Sequence, residues 1–128
     1  MIDLEGLDYE DHDIKPLFEH LKTLKNMEYF ELILDATEIE DEGLSSIVTN
    51  LYEKEFLHTL ILNCRETNIQ TGKGIQKLSN VLRSLSNLKT FKLELYCTET
   101  SNESVLKIFD ALKECKNLEK IFIGLGET

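Results

Sequence analysis

The segment Asp8-Tyr9-Glu10-Asp11-His12-Asp13 carries the best candidate ligands for a metal ion in this sequence. Carboxylates at alternate positions are the oxygen ligands that Ca²⁺ takes from a binding loop. Such a loop also needs a glycine at its sharp turn, and this segment has none. We therefore interpret the segment as a solvated acidic loop and predict no metal site there.

The other residues with ligating or reactive side chains do not form a recognisable catalytic group. His12, His20 and His58 fall in a predicted loop, helix and strand, without Cys or His partners at the spacing of a zinc site. The run from Thr71 to Gly74 precedes a helix, but a phosphate-binding loop needs more widely spaced glycines followed by Lys-Ser or Lys-Thr. We predict that the chain is not an enzyme and has no catalytic residue, no cofactor and no metal.

The three cysteines contain no CxxC pair. Cys64 and Cys115 lie on apolar faces of predicted elements, so we interpret them as small core residues. Cys97 has no identifiable base beside it. The odd number of thiols favours a reducing compartment. The N-terminus has no signal-peptide features and no apolar run is long enough to span a membrane, so we expect a cytoplasmic location.

Acidic residues are concentrated in the first third of the chain. The sequence has 128 residues and a formal net charge of −10. Residues 1–42 hold 14 acidic and 3 basic side chains, whereas residues 43–128 hold 10 and 11. This charge disfavours nucleic-acid binding through the phosphate backbone. The acidic end is either a solvated surface or an electrostatic face for a basic partner, and both alternatives stay open.

A repeated pattern of apolar residues predicts the strands and helices that position these side chains. Apolar residues occur at a first position and again three, five and seven residues later, in four copies spaced by 30, 31 and 30 residues. The copies begin at Met27, Leu57, Leu88 and Leu118. Apolar residues at helical spacing follow the same periods. Their anchors are Ile14, Leu44, Ile75 and Val105. Each unit is therefore predicted to be a strand, a polar loop and an amphipathic helix, stacked on its neighbours around one core.

The repeat predicts one domain over residues 1–128, with approximate units 1–26 (partial), 27–56, 57–87, 88–117 and 118–128 (partial). A strand, a crossover helix and a strand in one sheet give parallel pairing with a right-handed connection. Side chains that can cap a helix N-terminus precede each predicted helix. They are Asp13, then Asp41 and Glu42, then Thr71, and finally Ser101, Asn102 and Glu103.

The pattern Leu57-x-x-Leu60-x-Leu62-x-Cys64-x-x-x-x-Ile69, followed by a helix, resembles a leucine-rich repeat. The repeat length and the turn Glu38-Ile39-Glu40-Asp41-Glu42-Gly43-Leu44 resemble the ribonuclease-inhibitor-like class. The strand Phe30-Glu31-Leu32-Ile33-Leu34 resembles the variant abundant in ciliate proteins. The resemblance implies a right-handed α/β solenoid shaped like a horseshoe, with parallel strands on its concave side and helices on its convex side. It brings no catalytic residue and implies protein binding.

The sequence departs from this family at two places. The family usually has an asparagine just after the strand, where its side chain bonds to neighbouring loops. Asp35, Arg65 and Tyr96 stand there instead, so we expect a less regular loop edge. Thr100 replaces an apolar loop residue of the other units, which makes unit 88–117 the weakest match.

Alternation along the strands assigns a second set of side chains to the concave face. Ile33 and Ile61 are expected to be diagonal neighbours on adjacent strands. Apolar and aromatic residues mixed with charges are typical of a protein-binding surface, although single exposed apolar residues are also normal. The predicted partner-binding residues are Tyr29, Ile33, Ile61, Asn63, Arg65, Lys92, Tyr96 and Phe122.

The repeat predicts two buried columns, one of Leu62, Leu93 and Ile123 on the strands and one of Ile47, Leu78 and Ile108 on the helices.

Together these features predict a non-enzymatic protein-protein interaction or scaffold module, as a structural subunit or fragment of a larger intracellular assembly. Neither end shows a polar capping unit, so we expect neighbours or further repeats to cover the ends. The resemblance to ciliate proteins adds the cilium and the cytoskeleton as candidate locations. The alternative function is a regulator of a partner enzyme, an inhibitor or a GTPase activator, with Arg65 as the arginine near the strand ends.

Thiol titration of the denatured, non-reduced protein should count three thiols, because Cys64, Cys97 and Cys115 are predicted to be reduced. The same protein titrated after reduction gives the full count for comparison. A count of one before reduction would show an intramolecular disulfide and would contradict the reducing compartment.

Overall fold

A parallel β-sheet runs through the molecule, for which a computed structural model describes residues 1–70 and 72–126. In this part of the chain the five strands are β1 (Ile2–Asp3), β2 (Tyr29–Ile33), β3 (Thr59–Asn63), β4 (Thr90–Glu94) and β5 (Lys120–Gly124). They lie in chain order, and each strand pairs in parallel with the next. The predicted parallel pairing is therefore confirmed.

Helices connect the strands. They are α1 (Asp11–Phe18), which continues into a 3₁₀ helix over Glu19–Thr23, α2 (Asp41–Thr49), α3 (Lys73–Arg83) and α4 (Asn102–Leu112). Each helix contacts the next, and every second side chain of β2, β3 and β4 is buried. The helices thus cover one face of the sheet and leave the other open. Among the described helices, none combines the length and apolar character needed to cross a bilayer.

The core consists of rows of apolar side chains that run across the units. Leu32, Leu62 and Leu93 are paired in register and are fully buried. The predicted helix row is also buried, at Ile47, Leu78 and Ile108. Such continuous rows explain why one unit is insufficient: each apolar side chain is covered by the equivalent side chain of its neighbour.

At β5 the predicted core row is incomplete. Ile123 pairs with Leu93, as expected, but it is half-buried rather than fully buried. Ile121, which pairs with the buried Phe91, is 51% exposed. The reason is that β5 is the last strand of the described sheet and has a covering neighbour on one side, β4.

The loop edge after the strands is regular, so the expected irregularity is not found. At this edge, Ala36, Glu66 and Cys97 adopt the left-handed conformation, with φ of 57°, 55° and 57°. Each donates its amide to a carbonyl of the next unit, at 2.8 or 2.9 Å. A threonine follows each of them, and its hydroxyl donates to the carbonyl three residues earlier. Backbone pairing and threonine hydroxyls thus supply the order that asparagine supplies in the family.

Carboxylates at two helix starts join consecutive units. Asp11 accepts the amide of Glu40 at 2.8 Å. Asp41 accepts the amides of Gln70 at 2.9 Å and Gly74 at 3.1 Å. These bonds hold the helix starts together and account for two of the acidic residues of the first third.

The predicted caps are correct for one helix and displaced for others. Ser101 caps α4, since its hydroxyl oxygen accepts the amide of Ser104 at 3.2 Å. Asp13 does not precede α1 but lies in its first turn, where its carboxylate accepts the amide of Glu10 at 2.9 Å. Asp41 and Glu42 likewise lie inside the first turn of α2. Thr71 lies outside the described residues.

Lys54 occupies a core position that is apolar in the other units. The equivalent residues in the repeat are Leu24, Leu85 and Cys115. Lys54 is buried, and its amine donates to the carbonyls of Leu21 at 2.5 Å and Leu24 at 2.9 Å. Burial, and to a smaller extent the charge of Lys25, lowers the pKa of the Lys54 amine. The lysine therefore satisfies carbonyls at the end of the preceding 3₁₀ helix.

Leu62→Ala and Leu93→Ala should each lower the free energy of unfolding by about 2–5 kcal/mol, because each leaves a cavity in the central core row. Denaturant unfolding followed by circular dichroism measures the loss. Ile61→Ala, on the same strand but on the open face, is the matched control and should cost less. A loss below about 1 kcal/mol for both leucine variants would contradict the assigned register.

Candidate binding surface

The open face is the side of the sheet that the helices leave uncovered. All eight predicted partner-binding residues lie on it, six of them on strands and two, Arg65 and Tyr96, just after β3 and β4. Tyr29 is 49% exposed and Phe122 is 47% exposed, which is high for aromatic side chains. The other six predicted residues are half-buried.

Two isoleucines form the apolar centre of this face. Ile33 pairs with Asn63, and Ile61 pairs with Glu31, so the two isoleucines are offset by two positions on adjacent strands. This is the diagonal arrangement predicted from the sequence. Both side chains are half-buried without belonging to the helix-side core.

Tyr96 lies across the end of β5 and supports Arg65. The Arg65 guanidinium carbon lies 5.6 Å from the centroid of the Tyr96 ring, within the range of a cation–π interaction. A Cβ atom on Gly124 would approach Tyr96 ring carbons to 2.4 and 2.7 Å. Only a glycine therefore lets the ring rest on the β5 backbone, and the ring holds the arginine in turn.

A second cation–π pair lies two rows away on the same face, and the row of Asn63 and Glu94 lies between the two pairs. The Lys92 amine is 5.3 Å from the centroid of the Phe122 ring and 3.4 Å from a carboxylate oxygen of Glu94. In both pairs the cation belongs to one unit and the ring to the next. This part of the face therefore carries positive charge beside aromatic surface.

The opposite part of the face is acidic. The Asp35 carboxylate accepts the amide of Arg65 at 2.9 Å. Loss of hydration raises the pKa of Asp35, the Arg65 amide and charge oppose that rise, and the charges of Glu94 and Asp3 add to it. A hydrogen bond from the Tyr29 hydroxyl to Glu31, at 2.7 Å, raises the pKa of Tyr29.

Asn63 stands between Ile33 and Glu94 in the same row. Its side-chain oxygen is buried and, among the described residues, has no hydrogen-bond partner. This oxygen is therefore a hydrogen-bond acceptor at the centre of the open face.

The sequence analysis did not assign a role to Gly124, whose lack of a side chain makes room for Tyr96. A glycine inside a strand often marks close approach of another group, and this is the signal that could have found it. Alternation along the strands also assigns Glu31 and Glu94 to the open face, although they are not among the predicted partner-binding residues.

The other candidates from the sequence lie away from this face. The segment from Asp8 to Asp13 runs from a loop into α1. Across residues 1–70 and 72–126, no group of three or more His, Cys, Asp or Glu side chains is placed to hold a metal ion. Cys64 and Cys115 are buried, as predicted, and Cys97 is exposed. Burial raises the pKa of Cys64 to about 12, which keeps its thiol protonated.

The acidic end of the chain forms a surface cleft at the helix starts. The cleft is lined mainly by carboxylates, with one histidine and one lysine. Its charged residues are Glu10, Asp11, His12, Lys15, Glu38, Glu40 and Glu42. Asp11 is engaged by the Glu40 amide, whereas the glutamates at positions 38, 40 and 42 are exposed. Both interpretations of the acidic end stay predictions.

Comparison with known proteins shows the fold. No family model matches the chain, and no curated protein matches it either. A solved structure described as "Leiomodin-1 Actin-Binding Site 2 (ABS2)" matches with a TM-score of 0.68 and 19% sequence identity. The match covers 95% of this chain and 68% of that chain. The similarity supports a leucine-rich-repeat-like fold.

Gly124→Ala should lower the free energy of unfolding by about 1–3 kcal/mol, because the added methyl group collides with the Tyr96 ring. The same change in a Tyr96→Ala background should cost much less, since the ring is gone. Denaturant unfolding of the unmodified chain, the two single variants and the double variant completes this double-mutant cycle. An equal cost in both backgrounds would show that the ring does not require the glycine.

Proposed function

We propose that the chain is a protein-binding module and that its open face is the docking surface. The observation that carries the proposal is the exposed aromatic and apolar set on the side of the sheet without helices. Tyr29 and Phe122 flank the central Ile33 and Ile61. Aromatic and arginine anchors carry much of the energy of protein interfaces, and this face offers both.

The proposal also includes the class, the shape and the role that the resemblance to leucine-rich repeats implies. The chain would belong to the ribonuclease-inhibitor-like class, with the sheet as the concave side of a horseshoe. It would act without catalysis, as a scaffold or structural subunit inside the cell.

Actin is the first defined partner to examine, because the matched solved structure is described as an actin-binding site. Cosedimentation with filamentous actin, and gel filtration with monomeric actin, give direct readouts. Binding that the double variant described next abolishes would identify actin as the partner. No binding to either form would exclude actin and leave other proteins as partners.

The double change Ile33→Asp with Ile61→Asp should abolish partner capture from native cell extract, because it places two charges at the apolar centre of the open face. The matched control is Leu106→Asp with Phe109→Asp, on exposed positions of α4 that are 61% and 43% accessible. Capture followed by mass spectrometry is the measurement, with circular dichroism to verify folding.

Partners that are lost with the open-face pair and kept with the α4 pair would support the proposal. Retention of every partner by the open-face pair would exclude this surface as the interface. Loss with the α4 pair alone would assign the interface to the helices.

A further inference from the structure

We propose that the β3–β5 part of the open face binds a carboxylate-rich segment of the partner protein, with Arg65 and Lys92 as the contacts to its carboxylates. The proposal rests on the proposed function, because it specifies the chemistry of the partner at the same surface. It names a class of ligand that follows from the distribution of charge on the sheet.

Among the described residues, Arg65 forms no direct ion pair, although the charge of nearby Asp35 interacts with it. The formal net charge is −10, yet among the described residues no carboxylate oxygen lies within 4.0 Å of its guanidinium. Its position over the Tyr96 ring restricts the side chain while leaving N–H donors for another group. A guanidinium held in one place pairs well with a carboxylate, because both are planar and can form two parallel hydrogen bonds.

Lys92 and Lys120 extend the positive surface from β4 to β5. The amine of Lys92 is held between the Phe122 ring and Glu94, and Lys120 is exposed at the start of β5. Glu94 is the acidic side chain on β4, and Asp35, after β2, lies beside Arg65, so three cations face two carboxylates. On the β1–β2 part, Asp3, Glu31 and Asp35 are all acidic.

This uneven distribution of charge indicates where on the open face an anionic segment would bind. The acidic side chains of β1 and β2 repel it, and the cations after β3 and on β4 and β5 attract it. The rings of Tyr96 and Phe122 lie beside those cations and provide apolar contact for the segment's other side chains. A long nucleic acid fits less well, because its phosphates would also meet the acidic remainder of the chain.

The test uses a fluorescein-labelled peptide of repeated Glu-Glu-Leu triplets, with binding to the full chain followed by fluorescence anisotropy. The pair Arg65→Glu with Lys92→Glu should weaken binding by about tenfold or more, because it removes both carboxylate contacts and adds repulsion. Raising the salt concentration should weaken binding to the unmodified chain. A carbodiimide cross-linker should join peptide carboxylates to Lys92 or Lys120.

The matched control is Lys113→Glu with Lys116→Glu, which changes the net charge by the same amount at exposed positions near the end of α4. Retained peptide binding in this control supports the proposal. Equal weakening of peptide binding by both pairs would show that overall charge causes the effect, and it would overturn the proposal. Tighter binding of a short single-stranded DNA, lost with the Arg65 and Lys92 pair, would also overturn it in favour of phosphate.

Failure of this inference is distinguishable from failure of the proposed function. If Ile33→Asp with Ile61→Asp loses the native partners while Arg65→Glu with Lys92→Glu keeps them, the open face is the interface and its ligand is not carboxylate-rich. If neither pair loses a partner, the open face itself is excluded.

Discussion

Each strand–helix unit satisfies its polar backbone groups with those of the next unit, and this pairing is the constraint on which the structure depends. The strands exchange hydrogen bonds in parallel, and the turns after them repeat the same link, as from Ala36 to Arg65. Side chains add bonds of the same span, such as that from the Glu53 amide to Ser84. Because buried amides and carbonyls must be paired, a unit cannot shift against its neighbour without breaking several of these bonds together.

The regular arrangement of side chains on the open face follows from this backbone pairing between units. Equivalent side chains of successive units lie about 4.8 Å apart along a row, close enough for a cation in one unit to reach a ring in the next. Arg65 with Tyr96, and Lys92 with Phe122, are two such contacts, and both run in the same direction along the sheet. Gly124 lets the Tyr96 ring of unit 88–117 lie close to the backbone of unit 118–128. The chemistry of the face is thus a property of neighbouring units rather than of any one strand.

Periodicity was enough to predict the strands, their parallel order, the buried helix row and the diagonal placement of Ile33 and Ile61. These features follow from spacing alone, since a period of two or of 3.6 residues determines which side chains share a face. The start of α1 was misplaced, because Asp13 can serve from the first turn as well as from the cap position. The order of the loop edge was also missed, because backbone hydrogen bonds and the hydroxyls of Thr37, Thr67 and Thr98 take the place of an asparagine side chain there. The repeat offsets also imply the register that pairs Asn63 with Glu94, but they do not reveal the contacts of Arg65 and Lys92 with aromatic rings.

Lys54 restricts the order in which the units of this chain can be arranged. Its amine is matched to two carbonyls of the preceding unit, at Leu21 and Leu24, whereas the same place in later units holds an apolar side chain. The units are therefore not interchangeable parts. If the unit that contains Lys54 were transplanted further along the array, its ammonium group would meet a helix end built for a different neighbour. Lys54 thus makes the contact between units 1–26 and 27–56 specific, because its buried amine fits the helix end of unit 1–26.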